Sequence, residues 1–222
     1  MDRACGKGRL MRNPAELITG LYEAHAAAWD ASRTRSLVET AWLDRFLDLM
    51  PQKPGSILDI GCGAAEPMAR YFIEKGQHVT GVDTAPSLLA LSKKRFPDQE
   101  WLVSDMRTMA LGKRFDGLLA WNSFFHLTPD DQRGMFPIFH SHAAENAVLM
   151  FTSGTSLGEA IGSFQGQPLY HGSLDRAEYR TLLDDNGFDV MAHVVEDPTC
   201  GHLTIWLARL RARSDQMESF DR

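Results

Sequence analysis

The stretch Ser56-Ile57-Leu58-Asp59-Ile60-Gly61-Cys62-Gly63-Ala64-Ala65-Glu66 decides the fold. Its first five residues form a short apolar run of strand length, and the two glycines that follow allow a sharp backbone turn. Pro67 then suits a first helical turn, where its missing N–H is not needed, and a helix is expected from about Glu66 to Lys75, closed by Gly76. A strand, a glycine turn and a helix in this order form the opening of a βαβ unit, with ligands expected at the carboxyl edge of the sheet. The dinucleotide fingerprint would require a third glycine at position 66. Glu66 stands there instead, and a carboxylate beside a diphosphate is repulsive. The loop therefore favours a phosphate-free ligand of positive or zwitterionic character, and Asp59 just before the turn points the same way.

Working outward, the alternation continues. His78 to Asp83 reads as a second strand, Ser87 to Arg95 as a helix opened by Pro86, Trp101 to Val103 as a third strand and Phe115 to Trp121 as a fourth. Asp130 to His142 is expected to be helical with a kink or interruption at Pro137. Val148 to Thr152 is a fifth strand and Leu174 to Asn186 a helix capped by Gly187. Val190 to Val195 and Leu203 to Leu210 are strands without a helix between them. Strand–helix alternation implies right-handed crossovers around a parallel sheet. The loop between the last two strands is too short for a crossover, so the final strand should be antiparallel. The expected fold is an α/β, doubly wound, Rossmann-like, mostly parallel seven-stranded sheet with an antiparallel last strand.

Ahead of the sheet, Pro14 to Leu49 has a helical pattern, with Leu17, Leu21, Ala24 and Ala28 on one stripe. Residues 14–50 read as a helical lid, and 154–173 as an irregular insertion near the site. Residues 1–13 read as a flexible leader without the apolar core of a secretory signal, and 213–222 as a flexible tail. The 222 residues suit one domain. A net charge of -6 argues against sequence-independent nucleic-acid binding, which needs a basic surface. Three cysteines, Cys5, Cys62 and Cys200, are too few and too scattered for a disulfide framework, which fits the cytoplasm. No apolar run is long enough to cross a membrane.

Two further acids join Asp59. Asp83 ends the second strand, where a carboxylate can accept from both hydroxyls of a ribose. Asp105-Met106 follows the third, where a carboxylate can accept from an adenine amino group while an apolar side chain covers the ring. Asp59-x-Gly61-x-Gly63, Val79-x-Gly81-Val82-Asp83 and Ser104-Asp105-Met106 resemble the first three motifs of class I S-adenosylmethionine-dependent methyltransferases. The resemblance covers about Ser56 to Phe151, and the closing strand pair extends it. Ala65 at the third small position of the glycine motif is a mild departure. Lacking the Asn/Asp-Pro-Pro-Tyr signature of base methylases, the chain looks closest to the small-molecule subgroup.

The resemblance implies S-adenosyl-L-methionine as cofactor and S-adenosyl-L-homocysteine as product. It implies a cofactor site of Asp59, Gly61, Cys62, Gly63, Asp83, Thr84, Asp105, Met106, Trp121 and Asn122. Tyr22, Trp29 and Arg33 of the lid join it, with a ring near the sulfonium or the arginine near the carboxylate; core packing and a solvated face are the alternative. His126 follows the fourth strand and is the candidate base or acceptor-positioning group. The alternative is a helix cap or packing beside Phe125. Tyr170 and His171 are candidate substrate contacts, or simply surface loop. Cys200-Gly201-His202 does not make a metal site, and no metal is expected. The expected partner is a small-molecule acceptor, not nucleic acid or a membrane, and a homodimer is compatible. RNA or protein methylation, non-catalytic cofactor binding and nicotinamide oxidoreduction are the competing readings.

Overall fold

The computed structural model describes residues 13–212, so the expected tail, and the expected leader apart from Asn13, lie outside the described residues. The helical stretch ahead of the sheet is three helices: α1 (Pro14–Ala24), α2 (Ala26–Ser32) and α3 (Thr40–Leu49). The first break falls at His25, and the second follows Arg33, whose backbone is extended. There the Thr34 hydroxyl accepts the N–H of Ser36, the local competition with helix that threonine offers. Then come β1 (Ser56–Ile60), α4 (Met68–Glu74), β2 (His78–Asp83), α5 (Pro86–Arg95), β3 (Glu100–Val103) and β4 (Phe115–Ala120). They are followed by a 3-10 turn (Phe124–His126), α6 (Pro129–His142), β5 (Ala143–Ser153), β6 (Gly158–Phe164), β7 (Gln167–Ser173), α7 (Arg176–Asp185), β8 (Phe188–Asp197) and β9 (Leu203–Leu210).

The main sheet runs β3-β2-β1-β4-β5-β9-β8. Pairs among the first five strands are parallel, and β9 is antiparallel to both β5 and β8. This is the seven-stranded sheet expected from the strand order. Successive β1 residues feed opposite layers. Leu58 and Ile60 enter a core with Phe136 and Phe139 of α6 and Tyr179 of α7, while Ile57 enters one with Phe46 of α3 and Phe72 of α4. Each such fully buried side chain contributes about 1.5–3 kcal/mol.

Two expectations need correction. Pro137 does not interrupt α6, which continues through it with the ring on the exposed face, where the helix forfeits the bond to the carbonyl four residues back. The segment expected to be irregular is instead an antiparallel hairpin, β6–β7, turned at Gln165-Gly166. Both turn residues have positive φ, 51° and 71°, which suits a two-residue hairpin turn.

Candidate functional site at the carboxyl edge of the sheet

Gly61 and Gly63 adopt φ of +75° and +55°. Gly61 cannot carry a side chain: a Cβ there would sit 2.3 Å from Ser123 Cβ. The loop is pinned from three sides. The N–H groups of Gly61 and Cys62 donate to the Val82 carbonyl at 2.8 and 3.1 Å, Ser92 donates to the Gly63 carbonyl at 2.9 Å, and Arg95 donates to the Ala64 carbonyl at 2.9 Å. Asp83 completes the frame, with one oxygen accepting from Gly63 N at 2.9 Å and the other from Ala85 N at 2.9 Å. Each oxygen keeps a lone pair for a further donor.

The crevice above this loop has two lobes. The larger, about 820 Å³ with its mouth, is lined by Tyr22, Asp83, Thr84, Asp105, Met106 and His126, among others. The smaller, about 450 Å³, is lined by Arg33, Asp59, Cys62, Glu66 and Trp121, among others. Trp29, Gly61, Gly63 and Asn122 belong to both. Every residue expected to hold the cofactor therefore lines one lobe or the other.

Two of the charges that line the smaller lobe, Asp59 and Arg33, are uncommitted. Asp59 is buried, and among the described residues its carboxylate has no hydrogen-bond partner; burial, then repulsion from Asp83, pushes its pKa up to about 7 against the pull of Arg33. The Arg33 guanidinium lies 5.2 Å over the Trp29 ring and has no ion pair among the described residues. Burial lowers its pKa, although an arginine remains charged at neutral pH. The buried Trp121 Nε1–H also lacks a partner. Glu66 differs: its carboxylate is gripped by Arg70 through Nε at 2.9 Å and an Nη at 2.6 Å. The repulsion expected from Glu66 is therefore largely neutralised, and Asp59 is the carboxylate of this lobe left without a partner among the described residues.

In the larger lobe Asp105 is also engaged. Arg107 grips both of its oxygens and reaches Asp131 at 3.3 Å, which holds Asp105 below the usual carboxylate range. One carboxylate has about four acceptor positions, so room for a further donor remains. Asn122, at the end of β4, has a positive φ and is fixed by its own N–H donating to the Thr152 hydroxyl at 2.9 Å. Burial raises the Cys62 thiol well above its ordinary value, which makes it a filler of the loop and not a nucleophile.

His126 is buried and lines the larger lobe, but burial pushes its pKa down to about 4, well below the unperturbed value that suggested a base. Its Nε2 lies 2.8 Å from the Tyr22 hydroxyl and its Nδ1 2.7 Å from the Tyr170 carbonyl oxygen. Neither Tyr170 nor His171 lines either lobe. The buried Tyr170 ring sends its hydroxyl to Glu159 at 2.6 Å, and His171 packs 5.1 Å from the His126 ring. Their contribution reaches the crevice through His126.

The face that α1 turns to the crevice differs from the expected stripe. α1 faces the crevice with Ala15, Ile18, Thr19 and Tyr22, at helical spacing, whereas Leu17 of the expected stripe is 37% exposed. The signal that could have found this face is Tyr22 itself, since its helical neighbours must share its direction. Two ties hold α1 and α2 down: Glu23 accepts from Ser87 at the start of α5, and Asp30 pairs with Arg95 at 2.5 Å. Among the described residues no cluster of metal ligands is present, and no helix is long and apolar enough to cross a membrane.

The sheet order and the antiparallel β9 are a Rossmann-like fold shared with solved methyltransferase structures. Residues 57–146 match the family model described as a methyltransferase domain. Among curated relatives, the dTDP-3-amino-3,6-dideoxy-alpha-D-glucopyranose N,N-dimethyltransferase of Streptomyces fradiae is 32% identical over 76 residues, 34% of this chain and 29% of that protein. Trans-aconitate 2-methyltransferase of Rhodopseudomonas palustris is 26% identical over 163 residues, 69% of this chain and 60% of that one. The matched stretches span 28%, 29% and 37% of the first three curated relatives. The Burkholderia thailandensis 1,6-didemethyltoxoflavin-N1-methyltransferase superposes with a TM-score of 0.68 at 19% identity, covering 95% of this chain and 93% of that one.

Proposed function

We propose that this chain binds S-adenosylmethionine in the two-lobed crevice and transfers its methyl group to a small molecule. The observation that carries the reading is the pair of unpartnered charges in the smaller lobe, Asp59 and Arg33, beside the lone pairs that Asp83 keeps free. An amino-acid zwitterion needs one group of each sign, and a ribose needs an acceptor pair. When bound, the cofactor supplies an electrophilic methyl group on a sulfonium. The chain's own residues then hold and shield: Asp59 takes the ammonium, Arg33 the carboxylate, Asp83 the ribose, and Met106 lies against the adenine. Trp29 and Tyr22 roof the reacting centre and exclude water, so that alignment does most of the work.

Relatives with small-molecule names, an aminosugar nucleotide dimethyltransferase and a trans-aconitate methyltransferase among them, support a small-molecule acceptor. The net charge of -6 weighs against an RNA acceptor. Both described cysteines are free and buried, which fits a reducing cytoplasm. Calorimetry should show one molecule of S-adenosylhomocysteine bound per chain, with a matching rise in melting temperature. Absence of heat and of thermal shift with both product and cofactor would overturn the proposal.

Asp59 gives the binding a pH signature. Its carboxyl is raised to about 7 in the fold, so the folded state holds that proton more tightly than the unfolded one. Its contribution to the free protein's stability therefore falls as pH rises from about 4 to 7. The bound ammonium reverses the preference, because it interacts with the ionised form. Affinity for S-adenosylhomocysteine should weaken below pH 7, by up to about tenfold per pH unit, and level off above it. Titration calorimetry across this range checks the effect, and Asp59→Asn should flatten the curve.

A further inference from the structure

We infer that the acceptor is an uncharged amine, held through its N–H on the Tyr22 hydroxyl oxygen, with His126 as the positioning residue that turns that oxygen toward the substrate. The inference rests on the methyltransferase reading and adds the chemistry of the acceptor.

The hydrogen bonds fix the protons. A backbone carbonyl only accepts, so the Nδ1 of His126, 2.7 Å from the Tyr170 oxygen, must carry the proton. In a neutral ring Nε2 then has only its lone pair, and the hydroxyl of Tyr22 at 2.8 Å must donate to it. The single hydroxyl proton of Tyr22 is thereby committed. What its oxygen offers the larger lobe is lone pairs: it can accept a hydrogen bond from an incoming group but cannot give one.

This dyad is a poor sink for a proton. His126 is buried, and the ionisable groups packed against it are Tyr22 on α1 and His171 on β7. No carboxylate among the described residues bonds the ring to stabilise an imidazolium, and burial opposes its formation. The charges that reach Tyr22 are Arg33 and Asp83, and burial opposes a tyrosinate too.

Acceptor classes then separate. An alcohol must lose a proton to a base as its bond to the methyl carbon forms, and the dyad offers none. A carboxylate needs no base, but it brings no hydrogen for the Tyr22 oxygen and would set one anion beside Asp83; Arg107 in the same lobe is already committed to Asp105. A neutral amine meets both conditions, with an N–H for Tyr22 and a lone pair for the methyl carbon. The nitrogen lone pair forms the N–C bond while the C–S bond breaks and its electron pair stays on sulfur. The proton remains on the resulting ammonium until water takes it after release. Trp29, its ring 5.0 Å from that of Tyr22, lines the same lobe.

Two measurements test this. Nitrogen NMR of histidine-labelled protein loaded with S-adenosylhomocysteine should show His126 neutral and protonated on Nδ1 between about pH 5 and 8. Tyr22→Phe should move only its Nε2 signal, toward the value of an unbonded nitrogen. Turnover at saturating cofactor is then compared for an aromatic amine, an aminosugar, a phenol, a hexose and a dicarboxylate. Amines should be methylated in preference, and the acid limb of kcat/KM should follow the pKa of whichever amine is used. Tyr22→Phe should lower kcat/KM for the amine about five- to tenfold, the worth of one net hydrogen bond. An imidazolium or an Nε2-protonated His126 at pH 7 overturns the inference. So does preferred turnover of the phenol, hexose or dicarboxylate, and so does failure to methylate either amine by protein that binds the product. Protein that does not bind the product overturns the methyltransferase reading instead.

Discussion

Gly61→Ala is expected to destabilise the protein by about 2–5 kcal/mol and to abolish cofactor binding. Two costs add. At φ +75° an alanine occupies the left-handed region, which costs about 1–2 kcal/mol for a residue with a Cβ. The new Cβ would also lie 2.3 Å from Ser123 Cβ and 2.8 Å from its hydroxyl oxygen. Relieving such overpacking costs about 1–3 kcal/mol. Ser123 cannot step aside freely, because its hydroxyl is buried and donates to the Ile60 carbonyl at 2.6 Å. For a chain of this size the melting temperature should fall by roughly 5–15 °C. Gly76→Ala is the control: φ is +78° there, but nothing stands within 4 Å. It should cost about 1–2 kcal/mol and leave binding intact. Equal losses in the two variants would mean that Ser123 yields, and that the loop tolerates a side chain.

The difference between these two glycines also shows where sequence reading reached its limit. Both read as positive-φ punctuation, one at a turn and one at a helix end. Only the fold brings Ser123, sixty-odd positions away, onto the first of them. The sheet was legible because each of its strands is buried on both faces or closed by glycine, proline or a short loop, so apolar runs and breakers carried the order through β9. The β6–β7 hairpin was not. Residues 158–163 are exposed, leaving no buried face to impose an alternating pattern, and four glycines between 158 and 172 dilute strand propensity further. The acids at strand ends were legible as positions but not as states. The four-residue spacing of Glu66 and Arg70 suits a helical pair, but nothing in the spacing says that Arg107 grips Asp105 while Asp59 is bare. Those pairings depend on Arg70 one turn along α4 and on Arg107 two residues past Asp105. Likewise His126 drew attention as a base by its place after β4. Burial lowers that basicity, and both ring nitrogens are taken up by Tyr22 and the Tyr170 carbonyl.

Asp83→Ala should weaken S-adenosylhomocysteine binding by about 3 kcal/mol, roughly a hundredfold in Kd. Its two oxygens hold the backbone of Gly63 and Ala85, and in the proposed reading their remaining lone pairs accept from the ribose hydroxyls. Truncation removes the ribose contacts and frees both N–H groups, so the Gly63 peptide loses the bond that fixes its height over the sheet. Asp83→Asn keeps one acceptor oxygen and should lie between the two. The free protein should change less than the complex. Burial raises the pKa of Asp83 itself, so removing it also removes a charge that the fold disfavours. A second effect separates this account from simple loss of a loop contact. Repulsion from Asp83 is part of what holds Asp59 near 7. In Asp83→Ala the Asp59 carboxyl should ionise at lower pH, and the pH below which residual binding weakens should move down with it. An unchanged Kd would remove Asp83 from the site, and an unchanged pH midpoint would uncouple the two carboxylates.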